Sequence, residues 1–367
     1  MRAKFAIFGL GKRGVAVFKA LFNSGEKIVI LADPIIQTAS EAVYSLTHST
    51  TDVGTDLDFG INSVNTLEAN DDTSKIILNG IEIPYYYCPT VEDVEQLPID
   101  EEGADFFIEA TGNRDTLLAG IYAGAKVSVA LWYNNTISSD VAGIMNSTSI
   151  NYSDSRKVFS CGSPQLDVMS KILGIISDNY DISHCEAIEL NPYSNSSNLT
   201  DFETQSINDF SPYNRAATQN IIVNISSESK LVGRVRPELK GKINVGTAYR
   251  IPLLHGSAVQ LNITLSKSDI SPTDIIELLA NSSGKSGKFR HLKGIYQLFT
   301  SSDCLHNHEL CLSEASAFIS TFDTNNPYET GIRLTVFYDE NFFYATSCVS
   351  FINGLAANAI SETDEIL

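Results

Sequence analysis

The chain has 367 residues, 43% of them apolar, and carries 44 acidic against 25 basic side chains for a net charge of -19. That length suggests two domains, each able to bury a core without disulfides or a structural metal. The charge argues against an electrostatic binder of nucleic acid or of anionic membranes. It is unevenly spread: residues 51–110 hold 15 acids against one base, whereas residues 230–293 hold 11 bases against 4 acids. The first stretch reads as a solvated acidic face. Six cysteines (Cys88, Cys161, Cys185, Cys304, Cys311 and Cys348) show no short repeated spacing and read as reduced thiols. The apolar N-terminal run is broken by Gly9, Gly11, Lys12 and Arg13 before it reaches signal-peptide length. No run approaches the ~18 apolar residues of a spanning helix. The expectation is a soluble cytoplasmic protein without membrane or nucleic-acid partners.

The first elements carry a motif. Lys4–Phe8 is an apolar strand candidate, followed by Gly9-Leu10-Gly11-Lys12-Arg13-Gly14 and a helical pattern over Val15–Phe22. A second β-rich run, Lys27–Leu31, leads into Ala32-Asp33-Pro34. This is the G-x-G-x-x-G fingerprint in its strand–turn–helix–strand context. Gly9 suits the tight turn, Gly11 lets the backbone approach a pyrophosphate, and Gly14 lets the helix pack on the sheet. The helix start, with Lys12 and Arg13, faces the phosphates. Asp33 lies about where a carboxylate accepts the ribose hydroxyls, favouring NAD over NADP. An Asn-Gly turn inside Ile76–Ile83 predicts a hairpin. Ala104–Ala110 and Ala125–Leu131 predict buried strands flanking a helix over Thr116–Gly124, and so a parallel sheet. Thr111 and Gly112, just past one of them, would lie at its ligand-binding carboxyl edge.

Beyond Val158, the run Ser160-Cys161-Gly162-Ser163-Pro164 leads into an amphipathic helix over Gln165–Ile176. Ser163 suits an N-cap and Pro164 the first helical position. Cys161 would then precede a helix N-terminus, whose dipole favours the thiolate, so it is expected to alkylate faster than the other five cysteines. By position alone a buried, inert cysteine is the simpler reading.

Taken together, the chain resembles the glyceraldehyde-3-phosphate dehydrogenase family nearly end to end. The likeness rests on GLGKRG with Asp33-Pro34, YSLTHSTTDVG (44–54), LNGIEI (78–83), IEATG (108–112), GAKVSVA (124–130) and SCGSP (160–164). It continues through RAATQNII (215–222), LVGRVRPELKGK (231–242), AYRIP (248–252), HLKGIYQLFTSSD (291–303) and VFYDENFFYA (336–345). The resemblance implies a Rossmann NAD-binding domain (1–160) and an α+β catalytic domain with a large, mainly antiparallel sheet (161–338). A C-terminal helix (339–367, chiefly Ala345–Ile360) would return to the first domain. It also implies NAD, a homotetramer, and a cysteine thiolate, here Cys161, that oxidises an aldehyde through a thioester.

Several positions depart from the family pattern. Where the family carries its basic histidine, this chain offers Asn191 or Pro192 in EAIELNPY (186–193), and neither accepts a proton near neutral pH. His184 is too far along the strand to substitute. Glu340 takes the place of the asparagine that orients the nicotinamide, with Asn341 one position later, and Trp132 stands in a Ser-Ala-Pro stretch. This Trp could cap the core or narrow the nicotinamide pocket. Of the phosphate-binding groups, Arg250 is retained, Gly162 and Ser163 replace two threonines, Ser226 and Ser227 replace Thr-Gly, and Tyr213 replaces an arginine. Arg250, Ser163 and Ser226 therefore point to a small anionic, phosphorylated substrate. The polar loop Tyr193–Tyr213 matches the subunit-contact loop in position but not in residues. Cys304, His306, His308 and Cys311 include metal-ligand types, but their spacing fits no zinc module, and no metal is expected. The expectation is a divergent NAD-dependent oxidoreductase of weak or altered activity. The alternative is a pseudoenzyme that binds NAD or senses a metabolite.

Overall fold

In the computed structural model the chain divides into two units, one formed by Met1–Ser163 with Tyr344–Leu367 and the other by Pro164–Phe343. The structure describes residues 3–48, 65–148, 150–152, 154–155, 157–193, 198, 200, 215–226, 228–244, 246–282, 288–292, 300–305, 309–313, 321–322, 324 and 326–364. Tyr213, Ser227, His306, His308, residues 49–54 and 293–299 of the family-like runs, and most of the loop 193–213 lie outside them.

The first unit follows the order β1 (Lys4–Phe8), α1 (Lys12–Asn23), β2 (Lys27–Asp33), α2 (Ala39–Thr47), β3 (Leu67–Asn70), β4 (Lys75–Leu78) and β5 (Ile81–Tyr87). It continues with α3 (Val91–Glu95), α4 (Ile99–Glu102), β6 (Phe106–Glu109), α5 (Arg114–Tyr122), β7 (Val127–Ala130), β8 (Gly143–Ile144) and β9 (Val158–Ser160). These strands form one nine-stranded sheet in the order β3-β4-β5-β2-β1-β6-β7-β9-β8. From β5 to β8 every neighbour is parallel, while β3-β4-β5 run antiparallel. The hairpin forms as its Asn-Gly pair predicts: Asn79 and Gly80 take φ of 50° and 78°, the left-handed pair that a tight hairpin turn needs. Strand β5 pairs with β4 by its first half and with β2 by its second, joining hairpin and Rossmann sheet.

Strand alternation splits the core between the two faces of this sheet. Phe5 and Ile7 pack with Val15, Phe18 and Leu21 of α1 and with Tyr344, Cys348 and Ile352. Ala6 and Phe8 face the other way, toward Val94 and Ala119. Burial on both faces makes β1 read as a continuous apolar run rather than an alternating one. Helix α1 starts at Lys12, three residues before the apolar periodicity shows, because its first turn lies at the sheet edge and needs no apolar residue.

The second unit contains α6 (Pro164–Ser177), β10 (Ile182–Pro192), β11 (Ile222–Ile225), α7 (Glu228–Val235), β12 (Thr247–Ile251), β13 (Ser257–Leu265) and α8 (Pro272–Asn281). Strands β14 (Lys288–Leu292), β15 (Glu309–Ser313), β16 (Thr321–Phe322) and β17 (Thr330–Tyr338) follow. Its eight-stranded sheet runs β11-β12-β10-β13-β17-β15-β14, with β16 also on β17. Apart from the parallel pairs β10–β12 and β14–β15 it is antiparallel. Helix α9 (Phe342–Asp364) ends the described chain. The architecture is thus α/β, a Rossmann-type parallel sheet plus a second, largely antiparallel sheet. Among the described residues, no helix is long and apolar enough to cross a membrane.

Candidate functional site

The first candidate is the glycine turn between β1 and α1. Gly9 holds φ of +96°, and a Cβ there would lie 2.7 Å from the Thr111 methyl. A Cβ on Gly14 would lie 1.8 Å from the Gly9 carbonyl oxygen, so helix and turn can approach this closely because Gly14 has no side chain. Above Gly11 there is open space instead. Helix α1 has Gly11 as its N-cap, with no capping side chain and no acid in its first turn, which suits it to an anionic group from outside.

Asp33 braces this turn from the end of β2. Its Oδ2 accepts the Leu10 N–H at 2.6 Å, and its Oδ1 accepts the N–H groups of Ile35 and Ile36 at 2.8 and 2.9 Å. A carboxylate offers about four acceptor positions, so one on Oδ2 is left for a ribose hydroxyl although the side chain is buried. The residues present fit a dinucleotide: an uncapped helix start, open space at Gly11 and an oriented acid. Changing Asp33 to Asn is expected to weaken NAD binding about 10- to 100-fold, because hydrogen bonds to a charged group contribute about 1.5–3 kcal/mol. Titration of NAD by calorimetry checks this, and unchanged affinity would remove Asp33 from the cofactor site.

Arg13 is used within this unit. Its Nη1 donates to the Leu131 carbonyl at 3.2 Å and its guanidinium lies 6.0 Å from the centre of the Tyr344 ring. The Tyr344 hydroxyl lies 2.9 Å from the same carbonyl and 3.0 Å from that of Gly162, and its one proton serves both. Burial, followed by the neighbouring Cys348 and Cys161 thiols, holds the Tyr344 phenol well above its ordinary range.

Cys161 follows β9 in a turn held from several sides. Its N–H donates to the Ala130 carbonyl, the Ser160 hydroxyl donates to the Trp132 carbonyl at 2.7 Å, and the Gly162 N–H returns to Ser160 Oγ at 3.0 Å. Gly162 takes φ of 73°, a conformation in which threonine would be strained, so glycine at this departure from the family pattern has a backbone reason. Cys161 is itself buried, as are the other five cysteines, and packs in the same cluster as Phe159, Tyr344 and Cys348. Ser163 closes this unit directly before Pro164.

Sequence reasoning missed Glu109, which stands fully buried at the end of β6. Its carboxylate accepts the N–H groups of Thr111 and Gly112 at 2.8 and 3.2 Å, the hydroxyls of Thr111 and Thr116, and the indole N–H of Trp132. Trp132 is therefore part of the core, held by Glu109. The Thr111 hydroxyl is likewise turned inward.

In the second unit, Asn191 and Arg250 are register partners on the parallel strands β10 and β12. Gln165 Nε2, in the first turn of α6, donates to Asn191 Oδ1 at 2.7 Å. His184 is exposed, and seven residues along the strand puts it on the opposite sheet face from Asn191. The second missed residue is Glu189. It is buried on the core face of β10 with Cys185 and Ala187, and accepts the Ser226 hydroxyl. The signal was legible: a Glu in the apolar phase of an alternating strand. Burial and the charge of Glu228 push the Glu189 carboxyl up to about 7, against the lowering effect of hydrogen bonds from Ser226 and Asn191.

At the end of β17, Asp339 Oδ1 accepts the N–H groups of Asn341 and Phe342, starting α9, while Glu340 takes the Ser257 hydroxyl. Glu340 is thus tied into its own sheet by Ser257. The Cys304 thiol, hydrogen-bonded to Cys311, packs with it against Phe337, and the bond together with burial raises Cys304. Among the described residues no group of three or more metal-ligand side chains converges.

Residues 160–340 match the family described as glyceraldehyde 3-phosphate dehydrogenase, C-terminal domain. Glyceraldehyde-3-phosphate dehydrogenase of Borreliella burgdorferi is 28% identical over 361 residues, covering 96% of this chain and 99% of that protein. The chain belongs to the glyceraldehyde-3-phosphate dehydrogenase family. Glyceraldehyde-3-phosphate dehydrogenase 3 of Saccharomyces cerevisiae is 27% identical over 96% of this chain and 99% of its own length. The Neurospora crassa enzyme is 29% identical over 73% of this chain and 74% of its own. As a family member the chain is a glyceraldehyde-3-phosphate dehydrogenase-like oxidoreductase, distant from the relatives it matches.

Proposed function

We propose that this chain is an NAD-dependent oxidoreductase that oxidises an anionic aldehyde through a thioester on Cys161, at a rate reduced by the loss of the usual base. The glycine turn braced by Asp33 is the observation that carries the cofactor half of this reading. Bound NAD would supply the hydride acceptor, lying over Gly11 with its phosphates at the start of α1 and its ribose on Asp33; Gly9, Lys12, Arg13, Gly14, Thr111, Gly112 and Asn341 complete the candidate set. The Cys161 sulfur attacks the aldehyde carbon, the carbonyl pair moves to oxygen, and the carbon then loses hydride to leave the thioester. An acyl acceptor finally displaces the sulfur. Arg250 is the candidate partner for the substrate's anionic group, with Ser163 and Ser226 as polar neighbours.

Asn191 has no proton to take up near neutral pH. Missing general-base help costs about 10²–10⁴ in rate, which supports slow turnover. That loss also supports the second reading, an NAD-binding pseudoenzyme. One experiment separates them: NAD is titrated into the purified protein, then absorbance is followed with glyceraldehyde 3-phosphate and phosphate at high enzyme concentration. NADH formation is expected. Tight NAD binding without any NADH would sink the enzymatic reading and leave the pseudoenzyme. Light scattering tests the homotetramer that the family resemblance implies.

A further inference from the structure

Two thiols meet in the second unit, away in sequence from the residues assigned to cofactor and substrate. Cys311 lies on β15, in register with Arg290 of β14 on one side and with Phe337 of β17 on the other. Cys304, seven residues earlier, ends the 3₁₀ turn Ser301–Cys304. Both are fully buried, and they pack on each other and on Phe337 as a cluster of their own. As small apolar filler a cysteine has no advantage over alanine or valine. What distinguishes this pair is that the two sulfurs are neighbours.

Their proton is shared unevenly. The Cys304 thiol is raised, first by its hydrogen bond to Cys311, then by burial and by the charges of Cys311 and Asp303, against the opposing effect of Arg290. Cys304 therefore keeps its proton and donates it to Cys311, which is the sulfur that ionises first. The Arg290 guanidinium lies within electrostatic reach of the pair. One sulfur able to attack, with a protonated sulfur beside it, is the arrangement of an oxidisable dithiol. Access depends on the turn rather than on the sheet. Ser302 and Asp303 are exposed, and the turn is closed by the Thr300 N–H and hydroxyl on Asp303. A single short 3₁₀ turn is a weak element, so it opens locally at little cost while β15 stays paired with β17.

We propose that Cys304 and Cys311 form a peroxide-oxidisable dithiol that closes to an intramolecular disulfide and ties the turn to β15. The Cys311 thiolate attacks one oxygen of hydrogen peroxide, the O–O bond breaks, and hydroxide leaves and is protonated to water. Cys311 is then a sulfenic acid. The Cys304 sulfur attacks the Cys311 sulfur, the S–O bond breaks, and the departing hydroxide takes the Cys304 proton to give a second water. In sum the two thiols lose two electrons and two protons, and the peroxide is reduced to two waters.

The test uses the full chain, reduced, cleared of reductant and treated with a small excess of hydrogen peroxide. Remaining thiols are alkylated under denaturing conditions, and the products are mapped by mass spectrometry. Trypsin leaves both cysteines in one peptide, between Lys293 and Arg333, whereas a glutamyl endoprotease cuts between them after Glu309. Alkylation of Cys304 and Cys311 should be lost together and completely, and the tryptic peptide should become two hydrogens lighter. The two glutamyl fragments should stay joined until dithiothreitol separates them. Full alkylation of both cysteines, at a peroxide dose that converts glutathione to its disulfide, overturns the proposal. So does a bond from either of them to a different cysteine. In Cys304→Ser the Cys311 sulfenic acid has no resolving partner, so dimedone should capture it at least about tenfold more than it captures Cys304 in Cys311→Ser. Equal capture overturns Cys311 as the attacking sulfur. If a variant does not fold, the wild-type map decides alone.

Discussion

Replacing Cys161 with serine is expected to abolish aldehyde-dependent NADH formation while leaving NAD affinity unchanged. The argument is chemical first: a thiolate is within reach of neutral pH, whereas a serine hydroxyl without a base is not ionised. Removing the nucleophile of an optimised covalent enzyme costs on the order of 10⁶ in kcat, so a slow enzyme falls to background. It is also structural. The turn carrying Cys161 is held by its backbone, by Ser160 and by the Tyr344 hydroxyl at Gly162, none of which the substitution removes. Absorbance at the NADH band and an NAD titration check both halves. A serine variant within tenfold of the wild type would exclude the thioester route. Alkylation at neutral pH followed by mass spectrometry is the companion measurement. All six thiols are buried, so accessibility does not favour any one of them. Faster labelling of Cys161 would therefore report its position ahead of a helix N-terminus.

Truncating Glu109 to alanine is expected to be the most destabilising single change in the first unit. It orphans the buried indole N–H of Trp132 and removes the acceptor that orders the N–H groups of the exposed Thr111 and Gly112. The unpaired buried indole costs about 1–3 kcal/mol and the truncated side chain leaves a cavity, so a loss of roughly 2–4 kcal/mol is expected. At 2–4 °C per kcal/mol for a chain portion of this size, Tm falls by about 10 °C. Trp132→Phe removes one donor and leaves the carboxylate its other partners, so its loss is nearer 1 kcal/mol. Differential scanning calorimetry of both variants checks the ratio, and similar losses would show that the indole bond, not the network, holds the loop. NAD affinity should fall in Glu109→Ala as well, because the Thr111 methyl packs against Gly9 in the cofactor turn.

The Rossmann half was legible because its signals are local. The glycine spacing, the strand ending in Asp33 and the Asn79-Gly80 hairpin each depend on a few consecutive residues, and each element formed within a few positions of its expected place. Buried carboxylates were harder to see. Glu109 lies in a family-like run that assigns it no role, and Glu189 stands in the apolar phase of a strand, two residues before Asn191. Their partners, Trp132 and Ser226, lie 23 and 37 residues away in sequence. No window along the chain brings them together.

By itself, then, the sequence determined the layered α/β architecture, the family and the positions where chemistry departs from it, because periodicity, turn residues and motif order are properties of neighbouring residues. Tertiary structure decided what the departures do. It turned Trp132 into a donor for Glu109, and gave Gly162 a left-handed turn that threonine would strain. It also spent the Ser226 hydroxyl on an internal carboxylate. The reason is one of pairing: a buried polar group must find its partner in space, and which partner it finds is set by sheet order and register.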